Sequence, residues 1–341
     1  MGIPSLSIIF HGGEPMLQKP EKFAKMCEVI RGVMPPTLRL SLLIQTNATL
    51  ITETWLQTLK DWGVEIGVSI DGPPEVNDKF RVDHQGRGTY DRVREGISRA
   101  IAFSKENNTN SPGAISVINA DHDYVHIVEH LVDAIGLDRV NFLLPDCSYE
   151  DGIPNGHTAE AYGQKLCEIF DAAIARPNVW IRQVEELLSH FQIKSESEAP
   201  VKTSGRAQII IVQSDGSISI DDTFIPAKNW RTKLPTYHSK NVSLIEYLSL
   251  PIFDEIEQAY ENFPAECQNC LWQPICRGGA LENRYSVERD FDNPSIFCAG
   301  LKIYFTHVVR YLVQNGYPKE KIREILIPNE DLTLAGSQYG G

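Results

Sequence analysis

Four cysteines, Cys267, Cys270, Cys276 and Cys298, crowd into one loop-rich stretch of a 341-residue chain that has 7 cysteines in all. The run Cys267-x2-Cys270-x5-Cys276 followed by Cys298 has the spacing of a ligand set. Four thiolates complete one tetrahedral zinc or one 4Fe–4S cluster, and spacing alone leaves both open. An odd total with tight local grouping points to metal ligation in a reducing compartment rather than to a disulfide framework. Cys27, Cys147 and Cys167 lie in helix or strand-end patterns and read as ordinary core thiols. The 9 histidines show no ligand spacing.

Two further segments could do chemistry. In His11-Gly12-Gly13-Glu14-Pro15 the glycines let the backbone approach a ligand with no Cβ in the way, and Glu14 offers a carboxylate to a cation such as an ammonium. The same five residues also make an ordinary tight turn. Over 69–81, Asp71-Gly72-Pro73, Asp78 and Arg81 place several charges just past an apolar run. Arg81 could clamp a carboxylate with two prongs, or the segment is a solvated loop. Asn47 is either a hydrogen-bonding group or a turn residue.

Positioning these residues requires a regular scaffold. Short apolar runs at 6–10, 38–45, 64–70, 114–119 and 139–144 predict strands, and amphipathic segments near 20–33, 52–62, 89–106, 121–136 and 157–175 predict helices. This βαβα rhythm implies parallel strands with the candidate residues at their C-terminal ends, hence a barrel or an open α/β sheet. After about 200 the rhythm changes. Runs at 207–212 and 217–220 flank Ser214-Asp215-Gly216 and predict a hairpin, a helical stretch at 242–262 leads into the cysteines, and helices follow at 299–315 and 318–327. The expected domains are 1–199 and 200–330, with a frayed tail at 331–341. The first strand follows Met1-Gly2-Ile3-Pro4 at once, so a barrel starting this way is expected to lack its first βα unit.

Composition narrows the function. At 42% apolar and 23% charged the chain is not disordered, and its net charge of −13 without a basic run argues against a nucleic-acid partner. No apolar stretch nears the roughly 18 to 20 residues of a membrane helix, and no secretory signal is visible, so a cytoplasmic protein with no membrane partner is expected.

Taken together and in this order, the motifs resemble radical S-adenosylmethionine (radical SAM) enzymes with a SPASM auxiliary-cluster domain, along nearly the whole chain. Gly12-Gly13-Glu14-Pro15 matches the GGEP motif, whose glutamate holds the methionyl ammonium of SAM. Gln45-Thr46-Asn47 and Ser69-Ile70-Asp71-Gly72-Pro73 match the next strand ends, with Asp78 and Arg81 in a D-x-x-R run. The resemblance assigns Gly12, Gly13, Glu14, Asn47, Ser69 and Arg81 to SAM, with Ser69 and Arg81 on its ribose and carboxylate. It implies a partial (β/α)6 barrel lacking its first unit, then a small SPASM-type domain with a β-hairpin and a C-terminal helix. Cys276-Arg277-Gly278-Gly279, Asn283-Arg284-Tyr285 and Asp292-Asn293-Pro294-Ser295-Ile296-Phe297-Cys298 look most like maturases that form three-residue cyclophanes in ribosomally made precursor peptides.

Two departures shape the expectation. The family reduces SAM at a cluster held by C-x3-C-x2-C ahead of GGEP, and no such spacing occurs here. The chain alone is therefore expected to bind SAM weakly or not at all and to be inactive, with a separate cluster-bearing chain as one possible partner. In the auxiliary region, Asp221 and Ala280 stand where the family has cysteines of one cluster. The other set, Cys267, Cys270, Cys276 and Cys298, is whole and implies one 4Fe–4S auxiliary cluster. Asp222 lies where sulfatase-maturing relatives keep an acidic base, although Asp221-Asp222 also reads as a solvated turn. Three alternatives accompany the cyclophane reading: a sulfatase-maturase-like enzyme that makes formylglycine, a non-catalytic peptide-binding scaffold, and a zinc-stabilised protein.

Overall fold

The apolar runs of the first half pair into one parallel sheet in the computed structural model, which describes residues 5–192 and 209–327. Its strands are β1 (Ser5–Phe10), β2 (Arg39–Thr46), β3 (Val64–Ser69), β4 (Gly113–Val117), β5 (Arg139–Leu143) and β6 (Trp180–Ile181), in spatial order 1-2-3-4-5-6. Every pairing is parallel, with Phe10 opposite Ile44, Thr46 opposite Val68 and Val117 opposite Leu143. The strand ends that precede His11, Asn47 and Ile70 consequently lie along one edge of the sheet.

Helices α1 (Pro20–Val33), α2 (Glu53–Asp61), the short α3 (Pro74–Asn77), α4 (Tyr90–Asn107) and α5 (Tyr124–Glu129) make the crossovers. Local chemistry sets their starts. Pro20 occupies the first turn of α1, the Thr52 hydroxyl accepts from the Trp55 amide, and Asp123 accepts from the His126 amide. Buried Leu42, Ile44, Val68, Val140 and Phe142 from the strands, with Trp55, Leu59, Ile97 and Ile127 from the helices, form the core. Each such side chain contributes about 1.5–3 kcal/mol on burial.

The described residues divide into two compact units that interleave along the chain: 5–143 and 168–186 in the first, 144–167, 187–192 and 209–327 in the second. The division falls within α6 (Ala159–Ile174) and α7 (Arg182–His190). The expected boundary at 199/200, the first residues of the expected hairpin at 207–208 and the expected tail at 331–341 lie outside the described residues.

In the second unit, β7 (Ile210–Val212), β8 (Ser217–Ile220) and β9 (Tyr237–His238) form an antiparallel sheet in that order. Gly216 supplies the positive φ (+90°) of the turn between the first two. The helices are α8 (Lys228–Arg231), α9 (Leu244–Leu248), α10 (Pro251–Glu261), α11 (Ala265–Gln268), α12 (Gln273–Cys276), α13 (Cys298–Gln314) and α14 (Lys319–Leu326). An aromatic core of Phe224, Trp230, Tyr247, Phe253 and Phe291 packs α8, α9 and α10 together, with Trp230 and Phe291 in edge contact at 4.9 Å. Gly163 and Gly300 let backbones touch. A Cβ on Gly300 would stand 2.0 Å from the Ala159 carbonyl oxygen, and one on Gly163 2.4 Å from the Gly300 carbonyl oxygen.

Several expected elements need correction. The helix over 242–262 is two helices, because Pro251 has no amide hydrogen and disfavours helical backbone at Leu250, so α10 starts afresh there. The helix over 121–136 starts at Tyr124 and ends in a widened turn over His130–Ala134. Strands β6 and β9, of two residues each, and helix α7 are additional. No described helix is long and apolar enough to cross a membrane.

Candidate functional site

At the C-terminal edge of the parallel sheet, the turn after β1 fastens one carboxylate. Gly12 and Gly13 have φ of +85° and +57°, and a Cβ on either would meet nothing within 4 Å, so backbone conformation requires glycine there and the space beside them is open. Glu14 follows. Its Oε1 accepts from the Met16 amide at 3.0 Å and the Thr46 hydroxyl at 2.7 Å, while Oε2 accepts from the Asn47 amide at 2.8 Å. A carboxylate has about four acceptor positions, so three donors orient it and leave room for roughly one more, such as an ammonium.

The neighbouring strand ends are tied to one another. Asn47 Oδ1 accepts from the amide and hydroxyl of Thr49 at 3.0 and 2.7 Å, which makes its side chain a turn former, while its backbone serves Glu14. Ser69 Oγ accepts from Gln45 Nε2 at 2.9 Å. Arg81 reaches Asp71 with both prongs, Nε to Oδ2 at 2.7 Å and Nη2 to Oδ1 at 2.9 Å. Asp78 accepts from the Thr89 and Tyr90 amides at 3.0 and 2.9 Å and thereby caps α4. Within the D-x-x-R run, Asp78 is a structural cap and Arg81 is paired inside its own loop.

The second candidate site lies wholly in the second unit. Cys267 sits in α11, Cys276 ends α12 and Cys298 begins α13. Together with Cys270 they line one cavity, which Trp272 and Phe305 also border. Burial pushes the Cys276 thiol up to about 12 and raises Cys267 and Cys298, with Lys302 opposing the rise at Cys298. Neutral thiols must lose protons to ligate, so loading a metal here releases acid. Among the described residues no three His, Cys, Asp or Glu side chains converge on one point suited to a single ion. Four thiolates lining one cavity are a donor set for one tetrahedral zinc or one 4Fe–4S cluster.

The chain between Cys276 and Cys298 is stitched by buried polar groups. Arg284, 1% exposed, donates from Nε to the Phe291 and Asn293 carbonyls at 3.0 and 3.1 Å, from Nη1 to Ala259 at 2.9 Å and from Nη2 to Asn262 at 3.2 Å. Asn283 Nδ2 donates to the carbonyls of Pro145 and Cys147, both at 3.0 Å. Four carboxylates gather in the same unit. Burial first, then the charges of Asp222 and Asp221, push Asp146 up to about 6, although it reaches solvent on one side. Burial first, then Asp146 and Asp221, push Glu282 to about 7. Asp221 accepts from the Thr223 amide at 3.0 Å, and Asp222 is exposed.

A family model described as "Radical SAM superfamily" matches residues 4–131, the stretch that carries the Glu14 cradle and the strand ends just described. The match covers 128 of the 341 residues. Over longer stretches the chain is similar to a cysteine-type anaerobic sulfatase-maturating enzyme of Clostridium novyi, at 24% identity across 87% of this chain and 78% of that one. It is also similar to a serine-type enzyme of Bacteroides thetaiotaomicron, at 23% across 91% and 77%. Among solved structures, native anSMEcpe with bound AdoMet and Cp18Cys peptide matches with a TM-score of 0.75 at 24% identity, over 92% of this chain and 86% of that one. At that identity the likeness is one of fold.

Within the matched stretch the structure brings Glu14 and Asn47 together directly, and joins Ser69 to the Gln45 end of β2. It directs Arg81 to Asp71. In the second unit it gathers the four expected cysteines. Four residues gain roles that motif reading left unassigned: Thr46, which holds Glu14; Arg284, the buried cation; and Asp146 and Glu282, whose carboxyls hold their protons to higher pH than usual. Thr46 and Arg284 stand inside quoted motifs, so a signal existed for them. Asp146 and Glu282 carry none, because only folding brings them near Asp221.

Proposed function

We propose that this chain is a radical SAM peptide maturase that removes two hydrogens from a peptide, the first of them from a β-carbon. The observation that carries the reading is the Glu14 carboxylate, fixed through both oxygens by Thr46 and Asn47 at the sheet edge with acceptor capacity left over. In this reading Glu14 holds the methionyl ammonium, and Ser69 and Arg81 serve the rest of SAM, Arg81 by exchanging Asp71 for the SAM carboxylate. When reduced, SAM supplies the group that abstracts a hydrogen atom. The motif C-x3-C-x2-C that reduces it in the family is absent from these 341 residues, so we assign that role to a segment or chain that carries it.

The second hydrogen leaves as a proton and an electron. Asp222, exposed and next to Asp221, is the proposed proton acceptor, and the four-cysteine cavity, loaded with one 4Fe–4S auxiliary cluster, is the proposed electron acceptor. Two products satisfy this balance. Addition of the carbon radical to an aromatic ring gives a three-residue cyclophane, the reading favoured by the Cys276-Arg277-Gly278-Gly279 and Asn283-Arg284-Tyr285 runs. Oxidation of a serine gives formylglycine directly, and oxidation of a cysteine gives a thioaldehyde that water hydrolyses to formylglycine with release of hydrogen sulfide, the reading favoured by the named relatives.

The test combines the chain, a C-x3-C-x2-C segment, SAM and a reductant with peptides encoded beside the gene, and in parallel with a sulfatase peptide. Crosslinking gives products lighter by two hydrogens per link, with a three-residue block that resists fragmentation and begins at an aromatic residue. Formylglycine instead gives an aldehyde that a hydrazide probe captures. If neither peptide changes while SAM is cleaved, the maturase reading is wrong.

A further inference from the structure

Arg284 is a buried cation without a buried anion. Its guanidinium is satisfied only by carbonyls, and among the described residues no carboxylate lies within ion-pair distance of it. A full charge enclosed without a counter-charge is costly, and proteins retain one where an anion completes the site. The structure shows where that anion belongs. A Cβ on Gly278 would lie 3.4 Å from Arg284 Nη1, and Gly278 itself lines the cavity of the four cysteines. Arg284 is therefore packed directly behind the cavity wall, held there by carbonyls from four separate positions.

We propose that Arg284 is the internal counter-cation of the cluster bound by Cys267, Cys270, Cys276 and Cys298, and that its charge sets how readily the cluster accepts an electron. The proposal rests on the cluster reading above. A 4Fe–4S centre with four thiolates is anionic and gains one more negative charge on reduction, so a fixed positive charge behind the wall favours the reduced form. Arg284 acts through the cluster and touches no substrate, which makes it a positioning and tuning residue. Carbonyl dipoles hold the guanidinium without neutralising it, so its charge stays available to the cavity.

The experiment is an EPR-monitored redox titration of the anaerobically reconstituted chain as wild type, Arg284→Gln and Arg284→Lys, with iron and sulfide measured on each sample. Arg284→Gln removes the charge and keeps hydrogen-bond donors. Its midpoint should move to lower potential by on the order of 60 mV, a tenfold change in the one-electron equilibrium. Arg284→Lys keeps the charge and should hold the cluster at a midpoint near that of wild type. A fully loaded Arg284→Gln protein with an unchanged midpoint would overturn the proposal. So would loss of the cluster in Arg284→Lys, which would mean that the planar fork rather than the charge matters. If Arg284→Gln does not fold, Arg284→Met, which also removes the charge, takes its place, and an unchanged midpoint in it overturns the proposal. Zinc without iron and sulfide in the wild-type protein would instead refute the cluster reading itself.

Discussion

Replacing Gly300 by alanine tests whether the contact that seats Cys298 is as close as the structure has it. Gly300 is the third residue of α13, two after Cys298, and a Cβ there would stand 2.0 Å from the Ala159 carbonyl oxygen and 2.9 Å from the Gly163 nitrogen. Both are backbone atoms, so no rotamer change relieves the overlap and the helices must move apart. Overpacking of this kind costs about 3 kcal/mol at the upper end of its usual range. Alanine returns about 1 kcal/mol of helix propensity, which leaves a net loss of about 2 kcal/mol. Gly32 provides the matched control: it lies in α1, is exposed, and a Cβ there would meet nothing within 4 Å. Gly32→Ala should therefore stabilise its unit by about 0.5–1 kcal/mol. The assay is urea unfolding at 25 °C, with iron per chain after reconstitution as a second readout, since displacing α13 moves a ligand. Gly300→Ala should lower the unfolding midpoint and the iron content together. Equal or greater stability than wild type would refute the close-packing argument.

Cys276→Ser should abolish iron and sulfide binding after anaerobic reconstitution, where wild type takes up about four irons per chain; metal analysis checks this, and unchanged loading counts against the ligand set. Thr46→Val, nearly isosteric at a site 2% exposed, removes the 2.7 Å hydrogen bond to Glu14 and should weaken SAM binding about tenfold in equilibrium dialysis without altering the fold. Asp146 and Glu282 titrate higher in the folded chain than in the unfolded one, so from about pH 4 to 7 the folded state binds more protons and stability falls as pH rises. Glu282→Gln should flatten that decline in unfolding midpoints read at pH 5 and pH 8, and an unchanged slope would remove Glu282 as its source.

The parallel sheet is legible because each strand is a short apolar run closed by a glycine or polar cluster, and the five strands expected by this pattern end within two residues of the observed ends. The sixth is a two-residue strand, Trp180–Ile181, held by pairing with Arg139 and Val140 rather than by any local pattern. Periodicity has nothing to act on at that length. The break at Leu250 is written in Pro251, but the apolar spacing of 242–262 runs through it and masks the stop. Residues 144–167 join the second unit by packing across the chain, which no linear boundary anticipates. At the site, residue types reveal the four cysteines and Glu14, because ligation and charge demand particular side chains. Partners are harder to read. That Arg81 faces Asp71 and that Asp78 caps α4 depend on loop geometry, since aspartate and arginine in a loop are equally compatible with binding a ligand or one another.

On the resemblance to enzymes with two auxiliary clusters, Asp221 and Ala280 stand at positions where those enzymes have cysteines, and this bears on how the proposed two-electron oxidation would be completed. Abstraction of a hydrogen atom leaves an odd electron on the substrate, and a closed-shell product requires that electron to go elsewhere as a proton departs. On the proposed reading, the one cysteine set that remains is the electron's destination within this chain, so its potential governs whether the radical is drained or persists. A site with two clusters could share that task between them. A site with one has its tuning concentrated in the protein immediately around it, and the feature built there is a buried guanidinium with no carboxylate within ion-pair distance among the described residues. Substituting the cysteine position by Asp221 adds a carboxyl beside Asp222 in place of a metal ligand. Burial raises the affinity of Asp221 for its proton, and its neighbour Asp222 stays exposed. On the proposed reading, the position thus offers proton-holding capacity beside the base in place of a ligand to a second electron acceptor.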